Sequence, residues 1–180
     1  EGADVGFDAE FPATVDDLAR VRIKNATQLL SFEFADAGLS PTAWQKSSYP
    51  VEWQQRIAQI HDGIDTDVVR PDPEARLIVG HESAWLELGP TDPVVTFVTR
   101  NLEPYRGFHT MMRAIPGILE QNPKAQILIV GGDDVSYGRP PEGAASYRAL
   151  YLQQWRSDVD RSRVHFLGKL AYSDYLRVLQ

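Results

Sequence analysis

Between residues 107 and 123 the apolar positions fall on a single helical stripe. Phe108, Met111, Met112, Ile115 and Leu119 sit at i, i+3, i+4, i+7 and i+11, the spacing of one face of an amphipathic helix. Gly107 opens this segment and Asn122-Pro123 closes it. The runs on either side have a different rhythm. Val94–Thr99 is dense in β-branched residues, and 125–130 (AQILIV) is a continuous apolar run, as expected of a parallel strand covered on both faces. A third strand is predicted at Val164–Leu167. A helix is predicted over Ser146–Arg156, with Tyr147, Leu150, Tyr151 and Trp155 aligned, and another from Ser173, read as its N-cap, to Gln180. Right-handed crossovers then require parallel strands with helices on their faces. The fold class expected is α/β, a Rossmann-like parallel sheet with flanking helices. Its carboxyl-edge loops are 100–107, 131–138 and 168–172.

The first half of the chain is less regular. Residues 1–13 are acidic and aperiodic and read as loop. Thr14 followed by Asp16 and Asp17 is a helix-start signal, and Leu18, Val21, Arg22, Asn25, Leu29 and Phe32 recur at near-helical spacing, with Gly38 as the expected stop. Tyr49-Pro50 interrupts the chain, and 51–59 (VEWQQRIAQ) reads as a helix with Pro50 at its first turn. Ile57–Ile60 reads as a short buried strand. After a turn at 61–65, TDVVRPDP is a proline-punctuated linker. It separates an expected first domain, 1–70, from a second, 71–180. Two apolar runs around Gly80-His81-Glu82-Ser83 predict a β-hairpin over 76–88.

Composition narrows the chemistry. The chain has 180 residues, 43% of them hydrophobic and 24% charged, with a net charge of −7 and no cysteine. The acidic balance argues against a general nucleic-acid binder. The lack of cysteine removes disulfide frameworks and thiolate metal sites. No apolar run approaches the roughly 20 residues that span a bilayer. The four histidines, His61, His81, His109 and His165, lack metal-ligand spacing, so no metal is expected, and His165 reads as structural.

An anion site must therefore be local. Arg100 ends a strand and Arg106 precedes a helix, so the two are expected to converge on one spot at the mouth of the sheet and hold a diphosphate, since guanidinium groups pair bidentately with phosphate oxygens. Gly107 frees the helix amides to add to such a site, and His109 on the first turn can donate to a phosphate or a sugar hydroxyl. The competing reading is that both arginines form surface ion pairs with Glu103 or Asp92. Gly131, Gly132 and Asp133 follow a strand, where glycines permit close backbone approach or simply a tight turn. Ser136-Tyr137-Gly138 reads as loop packing, with a lid or sugar contact as the alternative. The chain has no GxGxxG, no GxxxxGK[ST] and no GxSxG, so a nicotinamide cofactor, a P-loop and a hydrolase elbow are not indicated.

Four segments carry a family likeness. IAQIHDGIDTDVVRP (57–71) resembles the interdomain motif of retaining glycosyltransferases of family 4. VTFVTRNLEPYRGFHTMMRAI, QILIVGGD and VHFLGKL resemble that family's basic loop-helix, glycine-loop and donor-domain strand segments, in the family's order, over roughly 57–170. The resemblance implies a GT-B enzyme, in which two Rossmann-like domains face a cleft. Such an enzyme transfers a sugar, with retention, from a UDP- or GDP-linked donor to a glycan, lipid or other acceptor, without metal. It implies that Arg100 and Arg106 grip the diphosphate, where the family more often has lysine at the second place. It places Gly131 and Gly132 beside the donor, and Gly168, Lys169 and Leu170 against the base. Asp62 replaces the usual asparagine, and the 76–88 hairpin is an addition. The family's E-x7-E element would follow residue 180 and most of the acceptor domain would precede residue 1. The expectation is accordingly a fragment, inactive alone, of a cytoplasmic enzyme, with contact to the inner membrane face through the missing regions as an alternative. The rival expectations are a non-catalytic Rossmann-like module binding a phosphorylated ligand or a partner protein and, ranked lower, a sugar-nucleotide epimerase.

Overall fold

The computed structural model describes residues 8–81 and 84–180, the side chains of His81 and Ala84 excepted. The chain forms two compact units, Glu1–Ile64 and Asp65–Gln180.

The first unit is built on helix α1, Val15–Phe34. Its start is a capping box. The Thr14 hydroxyl accepts from the Asp17 amide, and the Asp17 carboxylate accepts from the Thr14 amide at 2.9 Å, so two otherwise orphaned donors are satisfied. The helix ends at Phe34, earlier than Gly38, because Ala35 turns extended (φ −85°, ψ 136°). The Arg56 guanidinium donates to the Ala35 carbonyl, placing a cation at the negative end of the helix dipole. Gly38 instead begins strand β1, Gly38–Ser40, which pairs in parallel with β2, Ile57–Gln59. A side chain at Gly38 would sit 3.1 Å from Ile57 and 3.3 Å from the Phe32 ring, so the glycine serves close packing. Two short helices, α2 (Ala43–Ser47) and α3 (Val51–Gln54), connect the strands. The helix expected over 51–59 is cut short because its second half is taken by β2. That strand buries Ile57 but leaves Ala58 and Gln59 exposed. Phe32 packs against the rings of Tyr49 and Trp53, each at 5.2 Å.

The second unit carries the predicted hairpin, β3 (Leu77–His81) antiparallel to β4 (Ala84–Leu88); its turn, Glu82-Ser83, lies outside the described residues. A three-stranded parallel sheet follows, ordered β5-β6-β7, from Val94–Asn101, Gln126–Gly132 and Val164–Gly168. The crossovers are α4, Phe108–Gln121, and α5, Tyr147–Gln153, and α6 spans Tyr172–Leu179. Ser146 caps α5 by accepting from the Ala149 amide. Ala171, not Ser173, is the N-cap of α6 and bears no capping side chain, which corrects the sequence expectation.

Period-two alternation divides β6 between two cores. Ile127 and Ile129 face a cluster built with Phe108, Met112, Ile115 and Leu119 of α4 and Tyr151 of α5. Leu128 and Val130 face a second, with Val79, Leu88 and Val178 from the hairpin and α6. That two-sided burial is why β6 reads as an unbroken apolar run.

Pro116 lies inside α4. Lacking an N–H, it cannot serve the carbonyl one turn earlier, that of Met112. The Trp155 indole N–H donates to that carbonyl at 2.7 Å, which satisfies a buried acceptor that would otherwise be orphaned. Trp155→Phe should therefore cost about 1–3 kcal/mol of unfolding free energy. In a Pro116→Ala background the helix supplies its own donor and the cost should shrink. Equal losses in both backgrounds, by urea denaturation, would contradict this assignment.

His165, on β7, is half-buried, with Nε2 2.9 Å from the Gln126 amide oxygen. Burial lowers its pKa from 6.5. The unfolded chain then takes up a proton that the folded chain resists, so this contribution is present above the unfolded value and fades as pH falls through it. His165→Gln should flatten the acid-side decline of the melting temperature between about pH 7 and 5. An unchanged slope would remove His165 from that decline.

Candidate functional site

The carboxyl edge of the parallel sheet is irregular in both ladders. Pairing slips between Val98 and Asn101 on β5, and again between Ile129 and Val130 on β6, opposite Phe166 and Gly168. Slips of this kind redirect side chains at strand ends.

Within the first slip, Arg100 borders an open hollow of about 670 Å³ with Val98, Thr99, Val130, Lys169, Leu170, Tyr172 and Tyr175. The size falls within the roughly 300–1,000 Å³ of small-molecule sites. One wall is aromatic, since the rings of Tyr172 and Tyr175 stack with centroids 6.2 Å apart and planes 23° apart. The rim is basic. Lys169 Nζ donates to Asp134 Oδ2 at 2.8 Å, and that hydrogen bond and charge hold the exposed Asp134 carboxyl below its ordinary range. An anion entering the hollow would compete with Asp134 for Lys169.

Arg106 is not among the residues that border this hollow. It ends a 3-10 turn, Pro104–Arg106, and its guanidinium sits over the Tyr137 ring at 5.1 Å. The structure thus gives the two arginines different surroundings, bringing Arg100 together with Lys169 and Leu170 and Arg106 together with Tyr137. Neither arginine forms an ion pair among the described residues, and the partners expected for one are engaged by backbone. Asp92 accepts from the Gly89 amide at 2.7 Å. Glu103 accepts from the amides of Ser136 and Tyr137 at 2.8 and 2.9 Å.

Gly107 joins the 3-10 turn to α4 in a left-handed conformation (φ 77°, ψ 12°) with nothing near its missing side chain, so glycine is required there by backbone shape alone. His109 is buried, and its Nε2 lies 3.4 Å from the Thr110 hydroxyl. Gly131 also has a positive φ, and a Cβ there would lie 2.9 Å from both Leu102 Cδ2 and the Thr99 carbonyl oxygen. The chain's own close approach therefore uses this glycine. Gly132 lies beneath the Lys169 side chain and beside Asn101. Asp133 is held by Arg148 at 2.6 Å. Gly168, at φ 67°, turns the chain from β7 toward Lys169.

Two features of the site were not legible in the sequence. Tyr172 and Tyr175 become wall residues only through the register that brings α6 to the sheet edge. Glu103 is fully buried, although a carboxylate between leucine and proline looks like surface. Its partners lie 33 and 34 residues away, so no local signal could have shown them. The phenol of Tyr147 is raised above its usual pKa by burial and then by the Glu103 charge.

Residues 1–69 match the family model described as Glycosyl transferase family 4 group. The match supports a glycosyltransferase of the family 4 kind and does not extend over the three-stranded sheet β5-β6-β7. No curated protein and no solved structure matches the chain. Among the described residues no helix is long and apolar enough to cross a membrane.

Proposed function

We propose that this chain contributes the donor-binding side of a retaining glycosyltransferase that moves a sugar from a UDP- or GDP-linked donor to an acceptor. The observation that carries this reading is the hollow at the carboxyl edge of the sheet, where Arg100 and Lys169 meet a tyrosine wall. Ligands of open α/β sheets bind in that position. A nucleoside diphosphate presents an aromatic base and two phosphates, and the hollow offers stacking rings and cations to match. The family match over residues 1–69 supports sugar transfer as the reaction class.

In this scheme Arg100 stabilises the negative charge that grows on the leaving diphosphate as the bond to the sugar breaks. That is an electrostatic role, with no proton transferred by the arginine. Lys169 gives up Asp134 to assist. Gly168 and Leu170 present backbone to the base, and Gly131 and Gly132 keep the neighbouring loop low. Arg106 and His109 belong to the neighbouring turn and helix start, Arg106 acting with Tyr137.

The test is titration calorimetry of the chain, and of any longer form that contains it, with UDP, GDP and ADP and the matching monophosphates. Diphosphates should bind at least tenfold more tightly than monophosphates. Equal, negligible affinity for all six would reject the donor site. Binding without sugar transfer by the longer form would favour the non-catalytic module.

A further inference from the structure

The connection between β6 and α5, residues 133–146, is long for a strand-to-helix link, which commonly takes about 2–6 residues. Connections of this length that keep a defined shape are held by something. Arg148 and Lys169 hold its first two residues, Asp133 and Asp134, and the turn after β5 holds residues 136–138. The fully buried Glu103 carboxylate receives the amides of Ser136 and Tyr137 through one oxygen, at 2.8 and 2.9 Å. Asn101 Nδ2 donates to the Ser136 hydroxyl at 2.6 Å. The Tyr137 ring lies 6.3 Å from the Tyr105 ring and beneath the Arg106 guanidinium. Gly138, in a left-handed conformation, lies against Tyr105. Every contact made by that turn joins residues 101–106 to residues 136–138.

A buried carboxylate that accepts two backbone amides is committed to holding them. Charged acceptors make the stronger hydrogen bonds, and a carboxylate has no competing solvent once buried. Tyr137 is the hinge between the two halves of the arrangement. Its amide is fixed by Glu103, and its ring supports Arg106.

We infer that Glu103 is a positioning residue: its carboxylate latches the 133–146 loop onto the turn after β5, and so sets the Tyr137 ring that carries the Arg106 guanidinium. The consequence for ligand binding rests on the donor-site reading above; the latch itself does not. An unlatched loop would let Tyr137 leave Arg106, and the cation would lose its fixed direction.

The experiment compares wild type, E103A, E103Q and Y137A by amide hydrogen exchange over 133–146 and by cleavage with a glutamate-specific protease at the exposed Glu142. UDP and UMP affinities are measured on the same proteins. E103A should speed exchange at Ser136 and Tyr137 and raise Glu142 cleavage at least tenfold. E103Q, which keeps an acceptor oxygen of the same shape, should recover most of the protection. UDP affinity should fall several-fold in E103A and in Y137A while UMP affinity holds, a selective loss that general destabilisation would not produce. Tyr137 is half-exposed, so Y137A keeps the test open if E103A fails to fold. Wild-type exchange in folded E103A would overturn the latch, as would an E103Q protein no better protected than E103A. A loosened loop with unchanged UDP affinity in both E103A and Y137A would overturn the positioning role. If wild-type protein binds no diphosphate, the donor reading fails and the exchange data alone decide the latch.

Discussion

Arg100→Ala is expected to weaken UDP binding about ten- to a hundredfold, the effect of losing a charged hydrogen-bond pair of about 1.5–3 kcal/mol. Arg100 is exposed at the end of β5 and borders the hollow, and among the described residues it has no ion-pair partner to compensate. The variant should therefore keep its melting temperature while losing affinity, so calorimetry and a thermal scan separate the two. Arg106→Ala should cost less, because that side chain spends its contacts on Tyr137. The ranking matters more than either value. A larger loss in Arg106→Ala would move the diphosphate from the hollow to the entrance of α4. Unchanged affinity in both variants would remove the arginines from the site altogether.

Phe108→Ala should be the most destabilising single change considered, at about 3–5 kcal/mol by urea denaturation. The side chain is fully buried at the first turn of α4. Its ring lies 5.9 Å from that of Phe97 on β5 and 6.0 Å from that of Tyr151 on α5. It thus joins the sheet to both crossover helices, and truncation leaves a cavity that three separate elements would have to collapse to fill. Aromatic pairing adds about 0.5–1.5 kcal/mol beyond the area buried. A loss below about 1 kcal/mol would mean that α4 does not depend on this contact and that the first core is looser than its packing implies.

The two lines pointing to sugar transfer come from different parts of the chain. The motif resemblance covers roughly 57–170, whereas the family match covers 1–69. They overlap only at 57–69, so the glycosyltransferase reading does not rest on one segment counted twice.

Much of the second unit was legible because its local signals agreed. The stripe from Phe108 to Leu119 became the buried face of α4, with only Met111 left partly exposed. The run from Ile127 to Val130 became the central strand, buried on both sides. Apolar periodicity reports burial, and burial is what packing rewards. Where the outcome depended on partners distant in sequence, the pattern was silent. Gly38 looked like a helix stop and became part of a parallel strand, because Ile57 offered pairing that local propensity cannot register. Ser173 looked like a cap, but the chain turned helical at Tyr172, and Ala171 took that place.

The amino-acid sequence by itself determined the α/β alternation, the strand ends that carry Arg100 and Lys169, and the helix that starts after Gly107. These follow from side-chain periodicity and backbone preference, which act over a few residues. Only the tertiary structure decided that Arg100 faces Lys169 and the tyrosine wall while Arg106 lies on Tyr137, and that Glu103 is buried against amides over 30 residues away. Those outcomes depend on two one-residue slips in strand register and on where a long loop docks, and such features are fixed by long-range packing.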